Sequence, residues 1–319
     1  MFAIVHHWDT DGICSAALIA NMLESNGMDW KNYTPPIGKF ELDNRIRKSI
    51  NDFEKVFFLD LNISLEDIKK QVIFIDHHIQ AKISKENVQY INPIIEGGRS
   101  SEDFPSATWI ISTYFSLWNH LSALGVIGDK GEKIFNEKIG QKVKELLKTA
   151  GLSLDDSLKL VSLIDSNYIV MDREGVENAV KEVMNNPKHL LNHDKWLENL
   201  EKIRFEVDKA RSNLEFSGNF AEIEFESGYN IISKVARLAV WKQGYSAVLA
   251  INRDFNGSAQ IYFRINPSLT LRINMQNIIN KLKDASFNVG GKKEVLGVIC
   301  PKSRLEEVVS FIKSEAGFE

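Results

Sequence analysis

The sequence predicts an α/β protein with an N-terminal parallel-sheet domain, a helical linker and a smaller C-terminal α/β domain. Three observations predict it. The first third alternates short β-rich runs with amphipathic stretches, the pattern of a parallel sheet with right-handed crossovers. The length, 319 residues, exceeds one ordinary core and suits about two domains of roughly 150 residues each. Past Gly218 the pattern changes to strand-like alternation with turn residues between the runs. The boundaries are expected at 1–190, 191–216 and 217–319.

Phe2–Val5 reads as a buried strand, and Ile13–Glu24 as a helix opened by Thr10-Asp11-Gly12. Val56–Leu61 (VFFLDL) and Val72–Ile75 (VIFI) read as the next strands. From Pro105 to Met184 the pattern is mostly helical. Ala107–Leu124 is apolar nearly all round, which predicts one buried helix carrying Trp109 and Trp118 into the core. Lys195–Leu214 is charged, amphipathic and free of Pro and Gly, and reads as a long connecting helix. After it, FAEIEFE alternates like an antiparallel strand. SAVLAINR and AQIYFRI follow as two more, with Asp254–Gly257 as their hairpin turn. Met275–Leu282 and Leu305–Ser314 read as helices.

Lys and Arg number 39 against 43 Asp and Glu, a net charge of −4, which excludes a broad basic face for long duplex nucleic acid. A polyanion must then be held by a local basic pocket or by metal ions. Two cysteines, Cys14 and Cys300, exclude a disulfide framework and fit a reducing, cytoplasmic compartment. Cys14 has no base placed to make it a nucleophile and reads as a small packed residue. No run approaches the roughly 18 apolar residues of a membrane span. The opening MFAIVHHWDTDG turns polar too early for a signal peptide.

Four of the seven histidines sit in two tandem pairs, His6-His7 and His77-His78, each at the end of a predicted strand and beside aspartates. Asp9 and Asp11 follow the first pair, Asp76 precedes the second, and Asp60 ends the strand between them. In an open α/β sheet the C-terminal strand ends border the binding crevice. Four aspartates gathered there repel one another, and divalent cations are the usual remedy. Mixed Asp/His ligands suit Mn²⁺, Mg²⁺, Zn²⁺ or Fe²⁺ rather than Ca²⁺. Two metals fit better than one. Asp60 would bridge them, and metals roughly 3.5–4 Å apart hold a hydroxide for in-line attack on a phosphoester. Plainer readings stand beside these. Asp11 is an ordinary N-cap candidate, Asp60 a turn starter, and His6 a packed core histidine.

HWDTDG, then Asp60 at a strand end, then DHH at 76–78, then GVIGDKG at 125–131, resembles the four motifs of the DHH phosphoesterase superfamily. That superfamily includes RecJ-type exonucleases, nanoRNases, cyclic-dinucleotide phosphodiesterases and family II pyrophosphatases. The resemblance covers about the first 130 residues. It implies that His7, Asp9, Asp11, Asp60, His77 and Asp129 are metal ligands, with Asp60 bridging, and that His78 faces the scissile phosphate. Asp76 would orient an imidazole. Asp129 taken alone would read as a surface loop residue.

The C-terminal part resembles the DHH-associated substrate-binding domain, whose hallmark is a glycine-rich loop, GGGHxxAAG. Here Val289-Gly290-Gly291-Lys292-Lys293-Glu294-Val295-Leu296-Gly297 keeps Gly290, Gly291 and Gly297, while Lys292 takes the histidine position. Such a loop brings backbone N–H groups to a phosphate, with Lys292 and Lys293 adding charge. Their plainer reading is a solvated turn. Arg264 matches the family arginine that precedes this loop and can clamp a phosphate bidentately. Arg99, among Gly97, Gly98 and Ser100, is a further candidate contact or a surface loop residue. Trp8 would stack a base or line the cleft floor.

The expected protein is a metal-dependent phosphodiesterase with two Mn²⁺ ions, Mg²⁺ or Co²⁺ being substitutes, and its site in the cleft between the lobes. Its expected substrates are single-stranded DNA or RNA, or short oligonucleotides, cut to mononucleotides from an end. The alternatives are a RecJ-like exonuclease of repair or replication, and an architectural partner of the replicative helicase and its GINS complex.

Overall fold

The computed structural model describes residues 1–39, 41–65, 67–80, 82–217, 219–242, 244–270 and 272–318. Gly218, at the expected second boundary, lies outside the described residues. The chain divides into two compact units. One comprises Met1–Tyr168 and Asp172–Leu200; the other comprises Ile169–Met171 and the chain from Glu201 on.

The first unit runs β1 (Phe2–His6), α1 (Thr10–Ser25), β2 (Trp30–Tyr33), α2 (Asn44–Ser49), β3 (Lys55–Leu59), β4 (Gln71–Ile75), β5 (Val88–Ile91), α3 (Pro93–Gly97) and α4 (Ala107–Phe115). It continues with α5 (His120–Lys130), α6 (Gly140–Thr149), α7 (Leu154–Ile169), α8 (Arg173–Val183), α9 (Pro187–Leu190) and the start of α10 (Asp194–Arg211). Its five strands are all parallel in the order β2-β1-β3-β4-β5. The chain passes from β1 to β2 on one side and then crosses back to β3 on the other side of β1. That reversal opens a crevice beyond the C-terminal ends of β1 and β3. The apolar runs IVH and VFFL are wholly buried because a parallel sheet is covered on both faces. Helix α1 is buried nearly all round, since α4, α5 and α8 pack against it.

The expected helix over Ala107–Leu124 is two helices. Ser116 takes a left-handed φ of 57° and ends α4, and Asn119 caps α5 by accepting from Leu121 N at 2.8 Å. Ser122 Oγ accepts from Asn119 N at 3.2 Å to complete a capping box. Continuous apolar character concealed these polar stops. Trp109 is buried as expected. Trp118 lies in the intervening turn, half-buried and edge-on to Trp109 at 4.7 Å between centroids.

The second unit holds β6 (Leu214–Ser217), β7 (Phe220–Phe225), α11 (Ile232–Lys242), β8 (Ala247–Phe255), β9 (Ser258–Ile265), α12 (Met275–Asp284), β10 (Asn288–Lys292), β11 (Val295–Pro301) and α13 (Leu305–Ala316). Its sheet order is β10-β11-β9-β8-β7-β6. The FAEIEFE strand, β7, is antiparallel to β6 but parallel to β8, because α11 carries the chain back between them. The predicted hairpin of β8 and β9 is present, turning at Asn256-Gly257. The connecting helix stops at Arg211, and Leu214 already belongs to β6. One face of this sheet, with Leu249, Ile261, Phe263 and Leu296, builds a core with α12 and α13.

The glycine-rich stretch is not a loop. Gly290, Gly291 and Lys292 lie in edge strand β10, paired with Gly297, Leu296 and Val295 of β11, and only Lys293-Glu294 turn. An added Cβ at Gly291 would sit 2.2 Å from Val295 O, so this hairpin demands glycine there. The run of glycines reads as a phosphate loop but also serves close strand pairing.

Candidate metal centre

Three residues of the site, His7, Asp60 and Asp76, each stand one step past a strand and still hydrogen-bond to the neighbouring strand. His7 N donates to Leu59 O at 3.2 Å, Asp60 N to Ile75 O at 2.9 Å, and Asp76 N to Ile91 O at 3.2 Å. The sheet thus fixes the height of all three segments above the crevice. Asp60 has a left-handed φ of 58°, a conformation that aspartate tolerates better than most side chains.

The first motif turns sharply into α1. Asp9, rather than Asp11, is the N-cap, accepting from Gly12 N at 3.1 Å. The turn presses Gly12 onto His7, whose carbonyl oxygen would lie 2.4 Å from an added Cβ, so only glycine fits. Asp11 is wholly buried, and its two oxygens accept from Ala107 N (2.7 Å) and Thr108 N (3.0 Å) at the start of α4.

Asp129 is helical, in the last turn of α5. That helix reaches the site because Gly125 leaves no room for a side chain. A Cβ there would meet Thr108 Oγ1 at 2.3 Å and Asp11 Oδ1 at 2.5 Å.

These placements bring all six expected ligands together in three overlapping groups: His7-Asp9-Asp60, Asp11-His77-Asp129, and Asp60-His77-His78. Within each, the ligating atoms lie within 4.8 Å of one another. Asp60 is the common member of the first and third. Its Oδ2 lies 3.6 Å from His7 Nδ1, and its Oδ1 lies 3.4 Å from His77 Nε2. His7 Nδ1 is 2.9 Å from Asp9 Oδ2, and His77 Nε2 is 3.1 Å from Asp129 Oδ2.

Asp76 is wholly buried. Its Oδ1 meets His78 Nδ1 at 2.7 Å, and its Oδ2 accepts from His78 N (3.0 Å) and Gln80 Nε2 (2.6 Å). Asp76 therefore holds both the ring and the backbone of His78. His6 is a core histidine, as its plainer reading held. It is wholly buried, with ring nitrogens against His7 O (2.7 Å) and Asn32 Nδ2 (3.2 Å).

Burial, and then the charges of Asp11, Asp9 and Asp129, push the Asp60 carboxyl well above the usual carboxylate range. Burial and Asp9 raise Asp11 to about 6. Burial works against Asp9 as well, but the adjacent His7 outweighs it and holds Asp9 below that range. Burial lowers His78 while Asp76 raises it, and Asp76 wins. Burial drives the Cys14 thiol well up, so it is no nucleophile. The donor set fits divalent cations on one observation above all. Asp60 Oδ1 is buried and accepts no hydrogen bond, a cost that a cation relieves.

Residues 1–127 match the DHH family, N-terminal domain. They form a DHH-family domain. An uncharacterized protein of Methanocaldococcus jannaschii is 26% identical over 149 residues, covering 43% of this chain and 34% of that protein, so the match spans about a third of the relative. The RecJ-like fold extends past the DHH domain. RecJ of Thermus thermophilus, solved in complex with Mn²⁺, superposes over 99% of this chain and 52% of its own, with TM-score 0.70 and 12% identity. This chain thus spans about half of that RecJ. A pGpG-specific phosphodiesterase, PggH of Vibrio cholerae, matches over 99% of both chains (TM-score 0.55, 12% identity). CDC45 of Entamoeba histolytica matches over 99% of this chain and 95% of its own (TM-score 0.55, 11% identity).

Several candidates belong to none of the three His/Asp groups. Trp8 is 6% exposed with its ring 4.2 Å from that of His7, so it offers no open face for a base. Arg99 is exposed after α3, with its guanidinium 5.8 Å from the Phe104 ring centroid. Arg264, on β9, is buried and lies in one cross-strand row with Val295 and Lys292. Lys292 and Lys293 are exposed. Residues invisible to sequence reading also shape the first unit: Asp165 of α7, Gln80, and Asn92, whose Nδ2 donates to His78 O at 2.9 Å. Apart from Gln80, close to DHH, they stand far from any motif in a single sequence.

Proposed function

We propose that this chain is a Mn²⁺-dependent phosphodiesterase that releases mononucleotides from an end of single-stranded or short oligonucleotides. The observation that carries the reading is Asp60, one buried carboxylate shared by two His/Asp groups through different oxygens. His7, Asp9 and Asp60 would hold one cation, and Asp11, Asp60, His77 and Asp129 a second. Bound there, the pair would supply Lewis-acid polarisation of a phosphoryl oxygen and an activated water.

The chain's own groups do the rest. Asp76 fixes Nδ1 of His78 and keeps the imidazole protonated to higher pH, so it can donate to a phosphoryl oxygen as charge develops. Asp9 remains ionised and ready to ligate. In the second unit, Gly290 and Gly297 face each other across β10 and β11 beside Tyr262, and nothing lies within 4 Å of a Cβ at Gly290. That bare strip, with Arg264, Gly291, Lys292 and Lys293 around it, offers N–H and cationic groups to a nucleotide. Arg99 ranks below these.

The similarity to CDC45 favours a second reading, a replication-associated partner with weak catalysis. The complete ligand set argues against pure scaffolding, because no structural role requires six convergent ligands. Labelled dinucleotides, longer single strands and cyclic dinucleotides, each incubated with the chain and Mn²⁺, decide the matter. Mononucleotide release is expected from the linear substrates, and no release from any of them would sink the proposal. Lys292→Ala should raise KM several-fold with kcat nearly unchanged.

A further inference from the structure

Thr10 stands between two ligand aspartates, Asp9 and Asp11, and is wholly buried. As the first residue of α1 its N–H has no carbonyl partner within the helix. Both of its donors reach one carboxylate oxygen 155 positions away. Thr10 N lies 2.9 Å, and Thr10 Oγ1 2.7 Å, from Asp165 Oδ1 on α7. Helix α5 closes on the same residue, for a Cβ on Gly128 would lie 3.0 Å from Thr10 Cβ, and Gly128 precedes Asp129.

We infer that Asp165 is a positioning residue for the cation ligands, which rests on the metal-dependent reading above. Asp165 belongs to none of the three His/Asp groups. It acts through Thr10. While both bonds hold, the first turn of α1 cannot rotate, and Asp9 and Asp11 keep their directions toward the cations. What Thr10 requires is an acceptor, because both of its groups donate. An asparagine at 165 keeps the one acceptor oxygen that Thr10 uses and loses the charge and the second acceptor, whereas alanine loses both bonds to Thr10.

The test is Mn²⁺ binding to the full chain, followed by the electron paramagnetic resonance signal of free and bound ion. Asp165→Ala should bind roughly 10–100-fold more weakly, the usual effect of removing an outer partner of a ligand, and Asp165→Asn close to the unaltered chain. Thermal unfolding of the metal-free proteins separates positioning from general damage. Should Asp165→Ala fail to fold, Thr10→Val, which removes the hydroxyl donor alone, takes its place and should also weaken binding. Unchanged affinity in the folded alanine or valine variant overturns the inference, as does an asparagine variant as weak as alanine. An unaltered chain that binds no Mn²⁺ overturns the metal-dependent reading itself.

Discussion

Asp60 meets three demands at one position: a left-handed backbone, nearly complete burial, and a carboxylate set among other acids. In the metal-free chain its ionisation opposes folding, since burial and neighbouring charges both favour the neutral form. Asp60→Asn keeps the size and tolerates the backbone but cannot ionise. The metal-free variant should therefore unfold at the same or a higher temperature than the unaltered chain. Mn²⁺ at a hundredfold excess over Kd should stabilise the unaltered chain by about 2.7 kcal/mol, roughly 5–10 °C for a unit of this size, and leave Asp60→Asn nearly unmoved. Differential scanning fluorimetry with and without Mn²⁺ checks both, and a variant that gained as much from Mn²⁺ would show that Asp60 does not ligate. At this scale the convergence of the motifs was legible: His7, Asp9, Asp11, Asp60 and His77 follow strand ends in the sequence, and the fold gathers them. Asp165 was not legible, because one aspartate on an amphipathic helix looks like any solvated acid until the fold sets it on Thr10.

Helix α5 shows how an element can be placed by what it lacks. Gly125 and Gly128 let it approach α1 closely enough to deliver Asp129, and an alanine at 125 collides with Thr108 and Asp11. Gly125→Ala should cost about 1–3 kcal/mol by overpacking and weaken Mn²⁺ binding. Gly290→Ala, on open ground in β10, should stay within about 0.5 kcal/mol and leave Mn²⁺ affinity unchanged. Chemical denaturation of both variants measures the contrast, and equal costs would refute this account of α5. The start of α5 carries a second device. His120 is its first residue, half-buried, with Nε2 making no hydrogen bond, and burial lowers its pKa. Below roughly pH 6.5 the unfolded chain takes up a proton there that the folded chain resists, so stability falls as pH drops. His120→Asn should shrink the loss of melting temperature between about pH 7.5 and 5.5, and an equal loss would mean that His120 takes no part in it. The elements the sequence hid were hidden in two ways. β2 and β5 are only four residues each and carry polar residues, and the α4–α5 break was masked by apolar neighbours.

At the scale of the whole molecule, the connecting helix is shared between the two units rather than standing as a segment of its own. Its division falls within α10, where Trp196 and Ile203 are both buried although one belongs to each unit. A charged helix free of Pro and Gly looked like a linker because its exposed face dominates its composition. The cores of the two units are built from different residues, and every candidate cation ligand belongs to the first. Five of the six tryptophans, Trp8, Trp30, Trp109, Trp118 and Trp196, also lie there, and only Trp241 belongs to the second. Separate cores can melt separately, and a ligand stabilises only the unit that binds it. Calorimetry should then resolve two transitions. Mn²⁺ should raise the one tracked by tryptophan fluorescence by several degrees and leave the other in place. A single transition that moves as a whole would show that the two units fold as one cooperative body, and that the energetic effect of the cations is not confined to the DHH domain.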